Sequence, residues 1–392
     1  MKLVPKRRFK GFSEFWEKHQ IKDTCEIHGR IGFRGYTRND IITKEYGGIL
    51  AFSPINIKDS TLDLSVKNTY ITLTKYEESP EIKIHNGDIL FVKTGSTLGK
   101  STLIKTLGER ATINPQIVVI RTAVVNRQFI ATLLQATNIL RQVARSKIGG
   151  AVPTLTESQI QSFQFFMPKS ESEVIRIGDF FAEIDNFIST EQKMLIKLQT
   201  MKQAYLHEMF PAEGESVPKR RFAGFTEKWQ PQKLAEIAEI VGGGTPSTSN
   251  PKYWNGDIDW YSPTEIGKQT YADGSIKTIT QLGLKKSSAN ILPANRTILF
   301  TSRASIGDMA ILRRPGTTNQ GFQSIVLRTG IDTYFVYSMG HILKPEALKK
   351  ASGSTFLEVS GQNLSKIKIL IPSAEEQQKI GTFFRKLDER IA

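Results

Sequence analysis

The chain is written twice. Residues 4–16 read VPKRRFKGFSEFW and residues 217–229 read VPKRRFAGFTEKW, an offset of 213 (217 minus 4), with differences only at Lys10/Ala223, Ser13/Thr226 and Phe15/Lys228. A repeat of domain length constrains every later reading, because each copy must supply a similar folding unit. The match continues with small drifts in offset. Ser53-Pro54-x-x-Ile57 answers Ser262-Pro263-x-x-Ile266, Ile89-Leu90-Phe91 answers Ile298-Leu299-Phe300, Gly99 answers Gly307 and Asn114 answers Asn319. Towards the end of each copy, Phe166-Met167-Pro168 aligns with Leu370-Ile371-Pro372, and Gly178-Asp179-Phe180-Phe181 with Gly381-Thr382-Phe383-Phe384. Each copy is a fixed frame with a variable filling.

Within the frame, the short Ile- and Val-rich runs at 89–92, 117–120, 298–300 and 325–327 predict strands. Segments 129–143 and 334–348 are long enough for helices, so each copy reads as mixed α and β. After Pro168 the pattern changes. Ser170-Glu171-Ser172-Glu173, repeated as Ser373-Ala374-Glu375-Glu376, predicts a helix start with a reciprocal capping box. From there Val174, Ile177, Phe181, Ile184, Ile188, Leu195, Leu198, Tyr205 and Met209 keep a heptad spacing broken only by Glu191 and Lys202, which predicts a coiled-coil seam. A helix over 171–210 would be about 60 Å long. In the second copy Ile380, Phe384, Leu387 and Ile391 repeat the seam, but that helix reaches only Ala392, whereas the first runs about 20 residues past Ile188. Matched position by position, Leu195, Leu198, Tyr205 and Met209 then have no counterpart and are expected to need cover from outside the chain.

Lys and Arg number 53 against 38 Asp and Glu, a formal charge of +15 that favours a polyanionic partner, nucleic acid first. The single cysteine, Cys25, excludes an internal disulfide and any Cys-rich zinc site, and the five histidines lack metal-ligand spacing, so no metal is expected. No leader-like apolar segment follows the basic start, and no run approaches the roughly 20 apolar residues of a membrane span. A reducing cytoplasm is the expected location.

The sequence resembles the specificity subunits of type I restriction-modification systems. The resemblance rests on VPKRRFxGFxExW opening each half, on Gly243-Gly244-Thr245-Pro246-Ser247 followed by Tyr253-Trp254-x-Gly256-x-Ile258-x-Trp260, and on Ile371-Pro372-x-x-Glu375-Glu376-Gln377 leading into a helix. In the first half, Gly29-Arg30-Ile31-Gly32-Phe33-Arg34-Gly35-Tyr36 resembles another variant of the same domain. The resemblance implies an α+β chain with two target recognition domains, each reading one half of a bipartite, non-palindromic site in double-stranded DNA. It also implies helices that pair antiparallel as a spacer and dock two modification subunits, which work with restriction subunits. S-adenosylmethionine, ATP and magnesium would belong to those partners, with no cofactor and no catalytic residue in this chain. The boundaries that follow are 1–168 and 217–372 for the recognition domains, 169–211 for the spacer helix, 212–216 for a linker and 373–392 for the start of a second, truncated spacer helix.

Features common to both copies cannot distinguish two different half-sites, so base reading is expected where the copies diverge. In the first copy these positions are Arg30, Arg34, Tyr36, Arg38, Asn39 and Lys44, whose donors suit guanine edges or phosphates. In the second they are Thr245, Ser247, Thr248, Asn250, Lys252 and Tyr253, with Tyr271 and Lys277. Lys93, Lys100, Ser302 and Arg303 flank the shared frame and suit phosphate contact. Trp254 and Trp260 are read as packing anchors.

Two other function classes compete. Gly95-Ser96-Thr97-Leu98-Gly99-Lys100-Ser101 follows an apolar strand as the phosphate loop of an NTPase would, but only three residues separate its glycines where that motif needs four. A stand-alone DNA-binding scaffold without modification partners is the other. Glu81-Ile82-Lys83 lacks the acidic partner of a metal nuclease, and neither Asn114-Pro115-Gln116 nor Asn250-Pro251-Lys252 is the Asn-Pro-Pro-aromatic loop of an adenine methyltransferase.

Overall fold

The computed structural model describes residues 4–32, 35–58, 60–148, 150, 152–353 and 357–392. Two compact units, Met1–Thr190 and Glu191–Ala392, divide the chain.

In the first unit, Glu26–Gly29, Ile117–Arg121, Ile89–Val92 and Ser101–Leu103 lie side by side in one antiparallel sheet. A second sheet runs Ala111–Ile113, Ile49–Phe52, Thr69–Ile71, Ile41–Ile42, its first pair parallel. The strand at 89–92 is apolar throughout because both of its faces are buried. Ile89 and Phe91 point into a core with Phe129, Ile130 and Ile139, while Leu90 and Val92 point into another with Leu50, Phe52 and Ile113. The second unit repeats the plan. Ile298 and Phe300 face its main core and Leu299 a smaller one, in a sheet ordered Ala238–Gly242, Gln323–Leu327, Thr297–Phe300, Met309–Leu312, Tyr271–Ala272. Beside it, Trp254–Tyr261 pairs with Lys277–Ile279 antiparallel and Gly316–Thr318 parallel. A two-stranded ribbon ties the start of each copy to its end: Glu17–Gln20 to Gln164–Met167, and Gln230–Lys233 to Lys368–Ile371.

The helix expected at 129–143 is two helices, α1 (Arg127–Leu134) and α2 (Thr137–Ser146). The break lets Ile130 and Leu134, then Ile139 and Val143, turn to one core. The long helix, α3 (Glu171–Glu208), follows. The segment at 334–348 is likewise α4 (Thr333–Ser338) and α5 (Gly340–Lys349), and the chain closes with α6 (Ala374–Ile391).

The capping box is half made in the second copy and not made in the first, where the Ser170 hydroxyl meets that of Ser172 and the Glu173 amide donates to the Ser170 carbonyl. The Ser373 hydroxyl accepts from the Glu376 amide at 3.3 Å, but the Glu376 carboxylate does not return to Ser373; Arg221 takes both its oxygens. Glu173 is bound in the same way by Arg8. The glutamate of each repeat therefore anchors the arm VPKRRF to the helix start.

The heptad expectation needs two corrections. Val174 is buried and Ile177 packed in the core of the first unit, so the start of α3 serves its own domain rather than a seam. In the second unit Leu198 and Met209 are buried, and Tyr205 packed, against Ile380, Phe384, Leu387 and Ile391 of α6, so these positions do have a partner within the chain. Lys202 meets Asp388 at 2.6 Å and the Tyr205 ring lies 5.1 Å from that of Phe383, an antiparallel register. A short α6 running antiparallel covers the C-terminal end of α3. Uncovered apolar side chains lie earlier along it, at Phe181, Ile184, Phe187, Ile188 and Leu195.

Candidate nucleic-acid interface

In the second unit, the variable residues gather on a tryptophan pair. Trp254 and Trp260 stand edge to face with ring centres 5.0 Å apart. The Trp260 indole donates to the Gly244 carbonyl at 2.8 Å and the Trp254 indole to the Ser247 carbonyl at 3.2 Å, which pins the loop over 243–249 to the strand. A side chain at Gly243 would run into the carbonyls of Thr318 and Asn319, so the close approach of this loop requires glycine there. Thr245 donates to Gln320 at 2.6 Å. Asn250 caps the turn Pro251–Tyr253 through the Lys252 amide, and the Tyr253 carbonyl accepts from Thr280 at 2.9 Å. The Lys277 ammonium stands 5.8 Å from the Trp254 ring centre. Ser247, Thr248, Lys252 and Lys277 are exposed, and the two lysines form no ion pair among the described residues. Free ammonium groups on a rigid aromatic base are suited to phosphate, and the hydroxyls beside them to base edges. The tryptophans act here as anchors, in keeping with the sequence reading.

Tyr271 does not join this cluster. It lies in a strand of the main sheet, packed on the large core beneath Arg313, whose guanidinium is 3.9 Å from its ring centre.

In the first unit, Arg38 and Asn39 are exposed on the short helix Arg38–Asp40, which Thr37 and Asp40 close at its start. Lys44 is exposed but paired with Glu109 at 3.0 Å. Arg30 requires correction. It is buried, donating Nε to the Ile113 carbonyl and Nη2 to the Thr112 hydroxyl, both at 3.1 Å, and stacking on Tyr36. Burial pulls its guanidinium below the ordinary arginine value. Its donors therefore tie the edges of two sheets together, and the half-buried Tyr36 packs with Ala51, Ile71 and Tyr76. Arg34 lies outside the described residues.

Among the frame residues, Lys93 pairs with Glu157 at 3.1 Å and Arg303 with Glu358 at 3.0 Å, while Lys100 is exposed without an ion pair among the described residues. Ser302 is fully buried, its hydroxyl without a partner among the described residues, so it cannot meet a phosphate from the surface. The shared Ser-Pro-x-x-Ile turns are scaffold: the Ser53 amide and hydroxyl both donate to Asn56, and those of Ser262 to Glu265.

The loop at 95–101 joins two antiparallel strands rather than a strand to a helix. Several of its amides are spent internally, Gly99 on the Val92 carbonyl at 2.9 Å, Leu98 on the Gly95 carbonyl at 3.2 Å and Lys100 on the Thr97 carbonyl at 3.1 Å. The loop opens no helix, so it lacks the helix N-terminus on which a nucleotide phosphate would sit, and the NTPase alternative is not supported. Asn114 accepts from the Gln116 amide, a simple turn, and Asn319 does the same from Gly321.

Sequence reasoning missed Gln320, which holds Thr245, and Arg313, which covers Tyr271. The only sequence signal for Gln320 was its position next to the shared Asn319.

The sequence model of the type I restriction modification DNA specificity domain family matches residues 13–200 and again 226–392. The chain belongs to this family. Two specificity domains in one chain account for the doubled frame. Among relatives, the MjaIX type I restriction enzyme specificity subunit of Methanocaldococcus jannaschii is 41% identical over 167 residues, which are 42% of this chain and 38% of that protein. An Escherichia coli type I specificity subunit is 29% identical over 225 residues, 56% of this chain and 52% of its own length. The chain thus spans about half or less of these two relatives. A second M. jannaschii protein, the putative MjaX specificity subunit, is 23% identical over 396 residues, covering 96% of this chain and 88% of its own. In fold, the specificity chain resembles the crystal structure of a type I S subunit from M. genitalium, with a TM-score of 0.64 at 15% identity over 99% of this chain and 93% of the other.

Proposed function

We propose that this chain is the DNA-reading subunit of a type I restriction-modification complex, each specificity domain recognising one half of a bipartite, non-palindromic site. The observation that carries this reading is the double family match, one specificity domain per copy, with the exposed loops around Arg38 and around Trp254 among the stretches where the copies differ. A net charge of +15 supports the polyanionic target. The chain's role is binding rather than catalysis. Modification subunits dock on the helical segments and restriction subunits join them, and S-adenosylmethionine, ATP and magnesium act on those partners. The complex works in the cytoplasm; among the described residues no helix is long and apolar enough to cross a membrane.

Sequencing of methylated bases in a host with and without this chain tests the reading. One bipartite motif should disappear with the chain and return on complementation. An unchanged set of methylated sites would overturn it.

A further inference from the structure

Each copy has a cavity between the turn of its central hairpin and the helices packed on that hairpin, and the two cavities differ in chemistry. In the second unit the turn residue Asp308 pairs with Lys344 of α5 at 2.8 Å. The next residue, Met309, extends to the start of α5, where a side chain at Gly340 would meet its methyl group. Because Gly99 answers Gly307, Lys100 and Ser101 stand in place of Asp308 and Met309. The strand pairing agrees, Phe91 facing Ser101 as Phe300 faces Met309. Leu140 of α2 stands in place of Lys344, since a Cβ at Gly99 would approach Leu140 as one at Gly307 would approach Lys344. The acid has thus become a base with no acid opposite it, and the methionine has become a serine. Lys100 is exposed without an ion pair among the described residues. Ser101 is 2% exposed, and its hydroxyl has no partner among the described residues. A buried hydroxyl left unmet is costly, so its presence at the wall of a cavity points to a group from outside the chain.

That cavity, of about 370 Å³, is lined by Lys100 and Ser101 together with Gln135, Ser60, Leu98 and Leu140, and by no carboxylate among the described residues. Ser60 donates its hydroxyl to the Gln135 side-chain oxygen at 2.6 Å, which orients the amide and leaves its NH2 group to donate. We propose that this cavity of the first unit is a phosphate site, in which Lys100 supplies the charge, Ser101 and Gln135 donate hydrogen bonds, and Leu98 and Leu140 take the apolar edge of an attached sugar. Three donors with no acid beside them suit an anion that has several oxygens; a carboxylate has two and would leave a donor unmet. The grip comes from side chains, so it needs none of the loop amides of an NTPase and implies no hydrolysis. The phosphate belongs either to the DNA backbone or to a free sugar phosphate, and the chemistry of the site is the same for both. It is measured on the free chain with a small probe, so it stands or falls apart from which bases the variable loops read.

The test titrates the full 392-residue chain with deoxyribose 5-phosphate by calorimetry, in a phosphate-free buffer at low ionic strength. One saturable site is expected. Lys100→Met and Ser101→Ala should each weaken binding about tenfold. Ser101→Met, which copies the second unit, should close the cavity and abolish it. Ser101→Ala removes an unmet polar group, so this variant should melt no lower than the parent, which separates loss of binding from loss of fold. A random-sequence DNA duplex added to the loaded chain identifies the source: displacement of the sugar phosphate assigns the site to the DNA backbone, and retention assigns it to a free phosphate ester. No saturable binding, equal binding by the parent and the variants, or acetate binding as tightly as the sugar phosphate would each overturn the proposal.

Discussion

Arg8 holds Glu173 through two parallel hydrogen bonds, Nε to Oε1 at 2.7 Å and Nη2 to Oε2 at 2.6 Å, and Arg221 holds Glu376 in the same way at 2.7 and 2.8 Å. Both carboxylates are 1% exposed, so the repeated arm exists in large part to neutralise a charge buried at each helix start. Removing one partner leaves the other stranded. Arg221→Ala should destabilise the second unit by about 2 kcal/mol, less than a fully buried pair costs because the guanidinium keeps some contact with water. Urea unfolding of the chain and its variant measures the loss, and Glu376→Gln in the same background should recover part of it.

Gly178 and Gly381 occupy corresponding places where a long helix crosses the start of a shorter one. A Cβ at Gly381 would collide with the Asp332 carboxylate that caps α4, and one at Gly178 with Asn126 at the start of α1. Gly381→Ala normally improves a helix interior; here it should cost about 1–3 kcal/mol, because the cap or the helix must move. Thermal unfolding of the variant gives the sign.

The same cap is an acid in one copy and an amide in the other. Burial raises the Asp332 carboxyl above its ordinary value, against the lowering effect of hydrogen bonds from Phe335 and Tyr334. A carboxyl raised in the folded state contributes stability that is full below its unfolded pKa and is lost as pH rises through the folded one. Asp332→Asn keeps an acceptor for the Phe335 amide, as Asn126 does for Phe129. The variant should therefore gain stability relative to the parent as pH rises from 4 to 7. A difference independent of pH across that range would show that Asp332 titrates normally.

Much of this architecture was legible because the repeat aligns elements that must do the same work. The runs around Ile89 and Ile298 announced central strands since a strand buried on both faces needs apolar residues at every position. Heptad spacing along α3 marked apolar positions correctly but carried no information on what covers each. Val174 faces its own domain, and Leu198, Tyr205 and Met209 face α6, because an antiparallel partner fills a helix from its far end. Single-residue roles were least legible. Arg30 and Arg38 stand eight positions apart in one basic stretch, yet only the tertiary approach of Thr112 and Ile113 decides that the first is spent internally. Ser302 lies beside Arg303 and is buried because its backbone pairs with Gly321 and Val359.

That difference separates binding variants from folding variants. Lys252→Ala and Lys277→Ala, each removing an exposed ammonium, should lower the affinity of the assembled complex for its DNA and reduce the slope of log K against log salt by about 1 apiece. Arg30→Ala should instead lower the unfolding midpoint of the first unit. Salt titrations of DNA binding by anisotropy, alongside thermal melts, sort the three variants.

The central claim is that the two specificity domains read DNA independently, each with its own variable filling in a common frame. Exchanging residues 17–168 for the corresponding segment of a relative, followed by sequencing of methylated bases in the host, tests it most directly. The account predicts a motif changed in one half, with the other half and the spacing between them preserved. A chimera that methylates a site altered in both halves would contradict it.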